Sequence, residues 1–281
     1  MEKQVIGIIG GSGVDDPGII KNAQKIEVKT PYGASSGLVT VGTIDERDVA
    51  ILARHGEGHR INPSNVNYRA NIYAFKSLGV THILAPSAVG STRLDYKPGD
   101  FVVTDQFFDY TSRSRPATFY DGKENPDDIK NILGDRKRVC HINVSEPFCN
   151  NLRKIVINEL NELGFSYHKQ GNCLVFEGPR FSTTWESTVY RDVVKADTLS
   201  MTLVPECVLA REAGICYAQI AMVSDYDNLN RNAAVTCEEV GKTMSENAEK
   251  VKELLLKVIP KIPEERNCNC KDAYKKAFFD K

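Results

Sequence analysis

With 281 residues, 41% of them hydrophobic, and 36 basic against 37 acidic side chains, the chain can bury a large core but carries no net basic field. That balance argues against nucleic acid or an anionic membrane surface as a partner, and no apolar stretch reaches bilayer-spanning length. Met1-Glu2-Lys3-Gln4 precedes the first apolar run without a signal-peptide core, so a cytoplasmic location, extending to the nucleus, is expected.

In chain order, Val5-Ile6-Gly7-Ile8-Ile9-Gly10-Gly11-Ser12-Gly13 reads as a buried strand feeding a glycine-rich turn. The glycines permit positive φ and close approach of backbone N–H groups to an anion, and Ser12 adds a hydroxyl. No third glycine completes G-x-G-x-x-G and no Gly-Lys-Ser/Thr follows, so a dehydrogenase or P-loop NTPase is disfavoured. A plain strand-to-helix turn has the same local appearance.

A second strand over 49–53 delivers Ala53-Arg54-His55-Gly56 to its C-terminal end, where open α/β sheets place ligands. Arg54 has the forked geometry that suits a phosphate. His55-Gly56-Glu57-Gly58-His59 matches neither a zincin helix nor a zinc deaminase, which needs a later Pro-Cys-x-x-Cys. The spacing over 64–78 predicts a helix capped by Ser64 and ended by Gly79. Strand 81–85 then leads to Pro86-Ser87-Ala88-Val89-Gly90-Ser91, a second loop able to share the same anion.

Further strands are expected at 101–104, 173–176 and 216–223, a long surface loop at 113–135, and helices at 145–163 and 236–256. Thr236 and Glu239 form the capping box of the last helix, and Pro260 and Pro263 terminate it. Strand 216–223 ends in Ser224-Asp225-Tyr226-Asp227, whose acids, two positions apart, can face one side. They suit a ligand, a hard cation or a solvated turn. The alternation is that of an α/β protein, and with no linker or composition shift a single domain is expected.

Eight cysteines lack the density of a secreted disulfide scaffold and are expected to be mostly buried, reduced thiols. Cys268-Asn269-Cys270, in a polar segment without nearby histidines, is expected to be exposed and incidental rather than a zinc site.

Taken together, Gly10-Gly11-Ser12-Gly13, Ala53-Arg54-His55-Gly56, Asn67-Tyr68-Arg69-Ala70-Asn71, Phe119-Tyr120-Asp121-Gly122, Glu177-Gly178-Pro179-Arg180-Phe181-Ser182, Met201-Thr202-Leu203-Val204-Pro205-Glu206 and Ser224-Asp225-Tyr226-Asp227 resemble the methylthioadenosine phosphorylases of the trimeric purine nucleoside phosphorylase family. The match runs in register from about residue 5 to 260. It implies a central mixed β-sheet, a distorted barrel surrounded by helices, in one domain with a variable 264–281 extension. It further implies a homotrimer, a small-molecule nucleoside and phosphate as ligands, no nucleic acid or membrane partner, no metal, and no cofactor beyond phosphate as co-substrate.

By this resemblance Ser12, Arg54, His55, Ser87, Ala88 through its backbone N–H, and Thr202 hold phosphate as hydrogen-bond donors. Met201 lines the ribose, Phe181 faces the purine, and Ser182 and Asp225 contact base edges. Asp227 supports recognition of the 6-amino group. Cys237 and Val240 line an apolar 5′ pocket that His141 reaches from a neighbouring subunit. Asp225, with Ser12 and Arg54, is then the catalytic set, and Arg54→Ala is expected to stop turnover while sparing the fold. The expected reaction is phosphorolysis of methylthioadenosine. A phosphorylase for adenosine or 6-oxopurine nucleosides is the alternative, ahead of a hydrolytic nucleosidase or a nucleoside-binding module without turnover.

Overall fold

A computed structural model describes residues 4–11, 17–112, 114–129, 131–229 and 235–279. The apolar runs form strands: β1 (Val5–Gly10), β2 (Lys21–Ile26), β3 (Val39–Ile44), β4 (Arg47–Ala53), β5 (Val80–Ser91), β6 (Phe101–Val103), β7 (Gln106–Tyr110), β8 (Tyr167–His168), β9 (Asn172–Phe176), β10 (Thr198–Ser200) and β11 (Cys216–Asp225). Helices α1 (Tyr68–Ser77), α2 (Asn150–Glu162), α3 (Thr184–Val189), α4 (Leu203–Glu212) and α5 (Cys237–Lys261) lie between and after them.

All eleven strands belong to one mixed sheet, in the order β2-β3-β4-β1-β5-β10-β9-β7, with β11, β6 and β8 branching from β5. Among the described residues the sheet is forked and stays open, so the expected distorted barrel does not close. β5 is the spine. Its first half pairs with β1 in parallel, its last residues pair with β10 in antiparallel, and its other edge pairs with β11 along Cys216–Asp225. β4, β1, β5 and β11 form a parallel run in that order, and β5 continues past its pairing with β1 beyond Leu84, which opens a divergence at the C-terminal ends of β1 and β4. That divergence is the crevice at which α/β sheets bind ligands.

Both faces are covered. Ile9, Leu52, Phe75 and Tyr217 belong to one apolar layer and Ile6, Ile8, Leu84, Ile220 and Leu255 to the other, which accounts for the Val/Ile-rich, non-alternating strands. No described helix is long and apolar enough to cross a membrane.

Several local expectations shift. α1 starts at Tyr68 because Asn67 caps it, accepting from the Ala70 N–H at 3.2 Å. Ser64 instead sits in a short 3-10 turn capped by Asn62. α2 begins only at Asn150, after Cys149. α5 has Thr236 as its cap and runs through Pro260 to Lys261. Segment 113–135 contains no helix or strand among its described residues and is largely exposed, as expected of a surface loop, but Phe119, Tyr120 and Leu133 anchor it in the core and Arg115 is buried. Strands β2, β3 and β7 carry too little apolar periodicity to be read in advance, β2 being exposed along most of its length.

The C-x-C pair is also corrected. Cys270 is buried and Cys268 half-buried, against Cys149 and Cys216. The 264–281 extension packs onto the domain: Phe278 meets Tyr120 edge-on, and His141 donates its backbone N–H to the Ala277 carbonyl at 2.7 Å.

Candidate active site

The crevice opens into a cavity of about 600 Å³ whose lining includes Gly11, Arg54, His55, Ser87, Ala88 and Thr202 together with Met201, Phe181, Asp225, Asp227, Cys237 and Val240. Segments far apart in the chain thus meet in one chamber. Ser12 lies outside the described residues, as does part of the 228–234 loop. Ser182 and His141 do not line the chamber.

Arg54 leaves the end of β4 and is 2% exposed. Its Nε and Nη2 donate to the two oxygens of Glu206 at 2.7 and 2.9 Å, and Nη2 also donates to the Ile9 carbonyl at 3.2 Å. Burial opposes the charge, but the Glu206 carboxylate outweighs it and holds the guanidinium protonated. Nη1 makes only a long 3.5 Å contact with the Pro86 carbonyl. It is the arm of the fork left for a ligand. A Cβ on Gly11 would stand 3.3 Å from that nitrogen and from the Pro86 carbonyl oxygen, a tight approach that glycine relieves.

His55 differs from expectation. Its Nδ1 lies 2.8 Å from the Ile61 carbonyl, which can only accept, so Nδ1 carries the proton. Burial and the Arg54 cation push its pKa down to about 4, so the ring is neutral and Nε2 is an acceptor rather than the expected donor. Ser87 is oriented from behind. Thr104 donates to Gln219 Oε1 at 2.7 Å, and Gln219 Nε2 donates to Ser87 Oγ at 2.8 Å, which leaves the Ser87 proton for a further acceptor. Thr202, at the start of α4, makes no side-chain cap, so its hydroxyl is likewise uncommitted to the helix.

Asp225, which also lines the chamber, ends β11. Its Oδ1 accepts the Asp227 N–H at 2.7 Å and its Oδ2 lies 2.6 Å from Ser224 Oγ. Burial raises its pKa above the ordinary carboxylate range, against the opposing effect of the Ser224 hydrogen bond. The Ser224 hydroxyl also reaches the Val89 carbonyl at 3.2 Å; with one proton it serves one acceptor, and a protonated Asp225 can donate to it in turn. Asp227 is buried, and its Oδ2 has no hydrogen-bond partner among the described residues. Ser182 spends its hydroxyl on Asp227 Oδ1, so it orients that acid rather than facing the chamber.

Glu177-Gly178-Pro179 forms a wall against Met201. Gly178 has φ +63°, and a Cβ there would lie 2.5 Å from Met201 Sδ, so this position excludes other residues twice over. Other stretches of the motif set are structural. Asn67 and Asn71 tie α1 to the chain around Tyr32 and Ser36, and Asp121 accepts from Arg69 and Arg136.

A family model described as the phosphorylase superfamily matches residues 5–260. The chain belongs to the phosphorylase superfamily. Among its relatives in that superfamily, it is 50% identical over 280 residues to the S-methyl-5′-thioadenosine phosphorylase of Saccharolobus solfataricus, covering 99% of this chain and 98% of the relative. It is 46% identical to a probable 6-oxopurine nucleoside phosphorylase of Thermococcus kodakarensis, covering 97% and 98%. The methylthioadenosine phosphorylase of Schistosoma mansoni in complex with adenine superposes with a TM-score of 0.86 at 39% identity, covering 97% of this chain and 96% of that one.

This phosphorylase-superfamily site also uses residues to which the sequence alone assigns no role. Glu206, itself held by the Tyr217 hydroxyl at 2.7 Å, aims Arg54. Gln219 aims Ser87. Arg115 joins the two motif walls, pairing with Glu177 at 3.0 Å and donating to the Met201 carbonyl at 2.6 Å. Glu206 closes one of the family motifs and could have been flagged as Arg54's counter-ion; Gln219 and Arg115 carry no local signal.

Proposed function

We propose that the chain cleaves 5′-methylthioadenosine with inorganic phosphate, giving adenine and 5-methylthioribose 1-phosphate. One observation carries the reading: Arg54, Ser87 and Thr202, donors suited to an anion, line the same chamber as Asp225 and Asp227. Phosphate binds at the first group, with Ser12 as a further donor, and His55 Nε2 accepts a phosphate hydroxyl. A phosphate oxygen bonds to C1′ as the C1′–N9 pair withdraws into the purine.

Asp225 supplies a proton or hydrogen bond at N7, offsetting the negative charge that develops on the leaving base. Asp227 Oδ2 is an acceptor in need of a donor, which the adenine 6-amino group provides. Cys237 and Val240 offer the 5′ substituent an apolar surface, suited to a methylthio group. The transfer changes no oxidation state, so phosphate as co-substrate suffices and no redox carrier is called for.

The 6-oxopurine relative supports a second reading, phosphorolysis of inosine or guanosine. The acids at 225 and 227 favour the 6-amino edge, because an amide at 225 is the group that would donate to a 6-oxo purine. We also propose a cytoplasmic homotrimer. In that assembly His141, which is exposed and does not line its own chamber, would serve a neighbour's 5′ pocket, and sedimentation velocity tests the trimer.

The activity is tested by incubating the protein with methylthioadenosine, adenosine and inosine, each with and without phosphate, and identifying the sugar product. Phosphate-dependent sugar 1-phosphate, formed fastest from methylthioadenosine, supports the proposal. Free methylthioribose without phosphate, or a preference for inosine, refutes it.

A further inference from the structure

Far from the chamber, Cys149, Cys216, Cys268 and Cys270 bring their four sulfurs within 4.8 Å of one another. Cys149 stands at the N-terminal end of α2, Cys216 opens β11, and Cys268 and Cys270 belong to the extension that follows α5. Three separate parts of the chain therefore contribute to one small cluster. We infer that these four cysteines form a structural zinc site.

The geometry fits. Zinc binds four thiolates tetrahedrally at about 2.3 Å, which sets sulfur–sulfur edges of about 3.8 Å. The Cys216 and Cys268 sulfurs stand 3.4 Å apart, and all four cysteines are free. A disulfide instead requires sulfurs about 2.0 Å apart. The outer shell suits thiolates as well: the Leu152 N–H faces the Cys149 sulfur, the Cys270 N–H faces the Cys268 sulfur, and Arg266 lines the same crevice as Cys149 and Cys268. Four protein ligands leave no open position, the mark of a structural rather than a catalytic zinc.

Its place in the fold agrees. Cys216 and Asp225 are opposite ends of β11, which at about 3.3 Å per residue puts the cluster roughly 30 Å from the acid. The metal would pin the extension against the start of β11 and the head of α2. Without it the extension keeps fewer anchors, among them the Arg266 bond to the Gly214 carbonyl at 2.7 Å and the Phe278 packing on Tyr120.

The test is the metal content of the full-length protein, expressed in zinc-supplemented medium and purified without chelators. One zinc per chain is expected, with these four cysteines resisting alkylation until the zinc is stripped. Cys268→Ser/Cys270→Ser should lose the zinc and melt roughly 10 °C lower, with turnover at 25 °C within twofold of wild type. Should that variant fail to fold, exchange of wild-type protein with cobalt gives the second readout: thiolate-to-cobalt charge-transfer absorption is expected at one equivalent. Protein carrying less than a tenth of a zinc per chain, four freely alkylated thiols in the presence of zinc, or a disulfide linking any two of the cysteines would overturn the inference.

Discussion

Arg54 and Glu206, 152 positions apart in the chain, form a buried two-pronged ion pair, 2% and 1% exposed, that spends two of the guanidinium's three nitrogens inside the protein. The arginine thus arrives at the chamber already aimed, with Nη1 as its outward arm. The pairing changes what a mutation there does. Arg54→Ala strands a buried carboxylate and should destabilise the fold by about 3–5 kcal/mol, contrary to the expectation that the fold would be spared. Arg54→Leu/Glu206→Leu removes both charges and should recover most of that stability while phosphorolysis stays abolished. Thermal melts beside activity assays read both effects; a double variant that turns over normally would remove Arg54 from the phosphate site.

Gln219 should act on phosphate and not on nucleoside. Gln219→Leu releases Ser87 from its fixed orientation, a loss of about 1 kcal/mol that raises the phosphate KM roughly three- to tenfold. The nucleoside KM should stay unchanged. Initial rates with each substrate varied in turn separate the two constants, and an equal rise in both would assign Gln219 to general packing.

The pH profile should carry the signature of Asp225. Burial raises its pKa, so the protonated form persists above the usual carboxylate range, and kcat should decline as pH rises through that raised value. Asp225→Asn should abolish that limb and shift preference toward inosine or guanosine, while Asp225→Ala should lower kcat by about 10²–10⁴. An unaltered pH profile and substrate ranking in the asparagine variant would exclude the acid role.

Glu212 predicts a stability slope unrelated to activity. Burial raises its pKa from 4.5 to about 7 in the folded protein, against the opposing hydrogen bond from the Phe119 N–H. Between those values the folded state holds a proton that the unfolded state has released. Stability from this group therefore falls as pH rises from 4.5 to about 7, by roughly 3 kcal/mol, and is level above that. Glu212→Gln keeps an acceptor for Phe119 and should lack the slope. Denaturant melts of both proteins at pH 5 and 8 isolate the difference, which should be near zero if Glu212 is ionised throughout.

Much of the chamber is legible because Arg54 and Asp225 stand at the ends of dense apolar strands and parallel strands present their C-terminal ends along one edge of a sheet, whereas Ser87, expected in a loop after 81–85, lies within β5. The features that stayed hidden depend on distant partners. The Glu206 counter-ion sits in α4, Ser182 turned out to serve Asp227, and His55 became an acceptor only through the Ile61 carbonyl. The grouping of the four thiols is hidden for the same reason: Cys268 and Cys270 have no metal-like spacing, and their companions Cys149 and Cys216 lie more than fifty positions upstream. β2 escaped because an exposed edge strand such as Lys21–Ile26 needs no apolar periodicity.

The central claim, one chamber holding phosphate and adenine on facing sides, is tested most directly by a crystal structure of the protein soaked with sulfate and adenine. The anion is expected against Arg54 Nη1, Ser87 and Thr202, and the adenine with its N7 and 6-amino edge on Asp225 and Asp227. An anion bound away from Arg54, or adenine lodged outside the chamber, would contradict it.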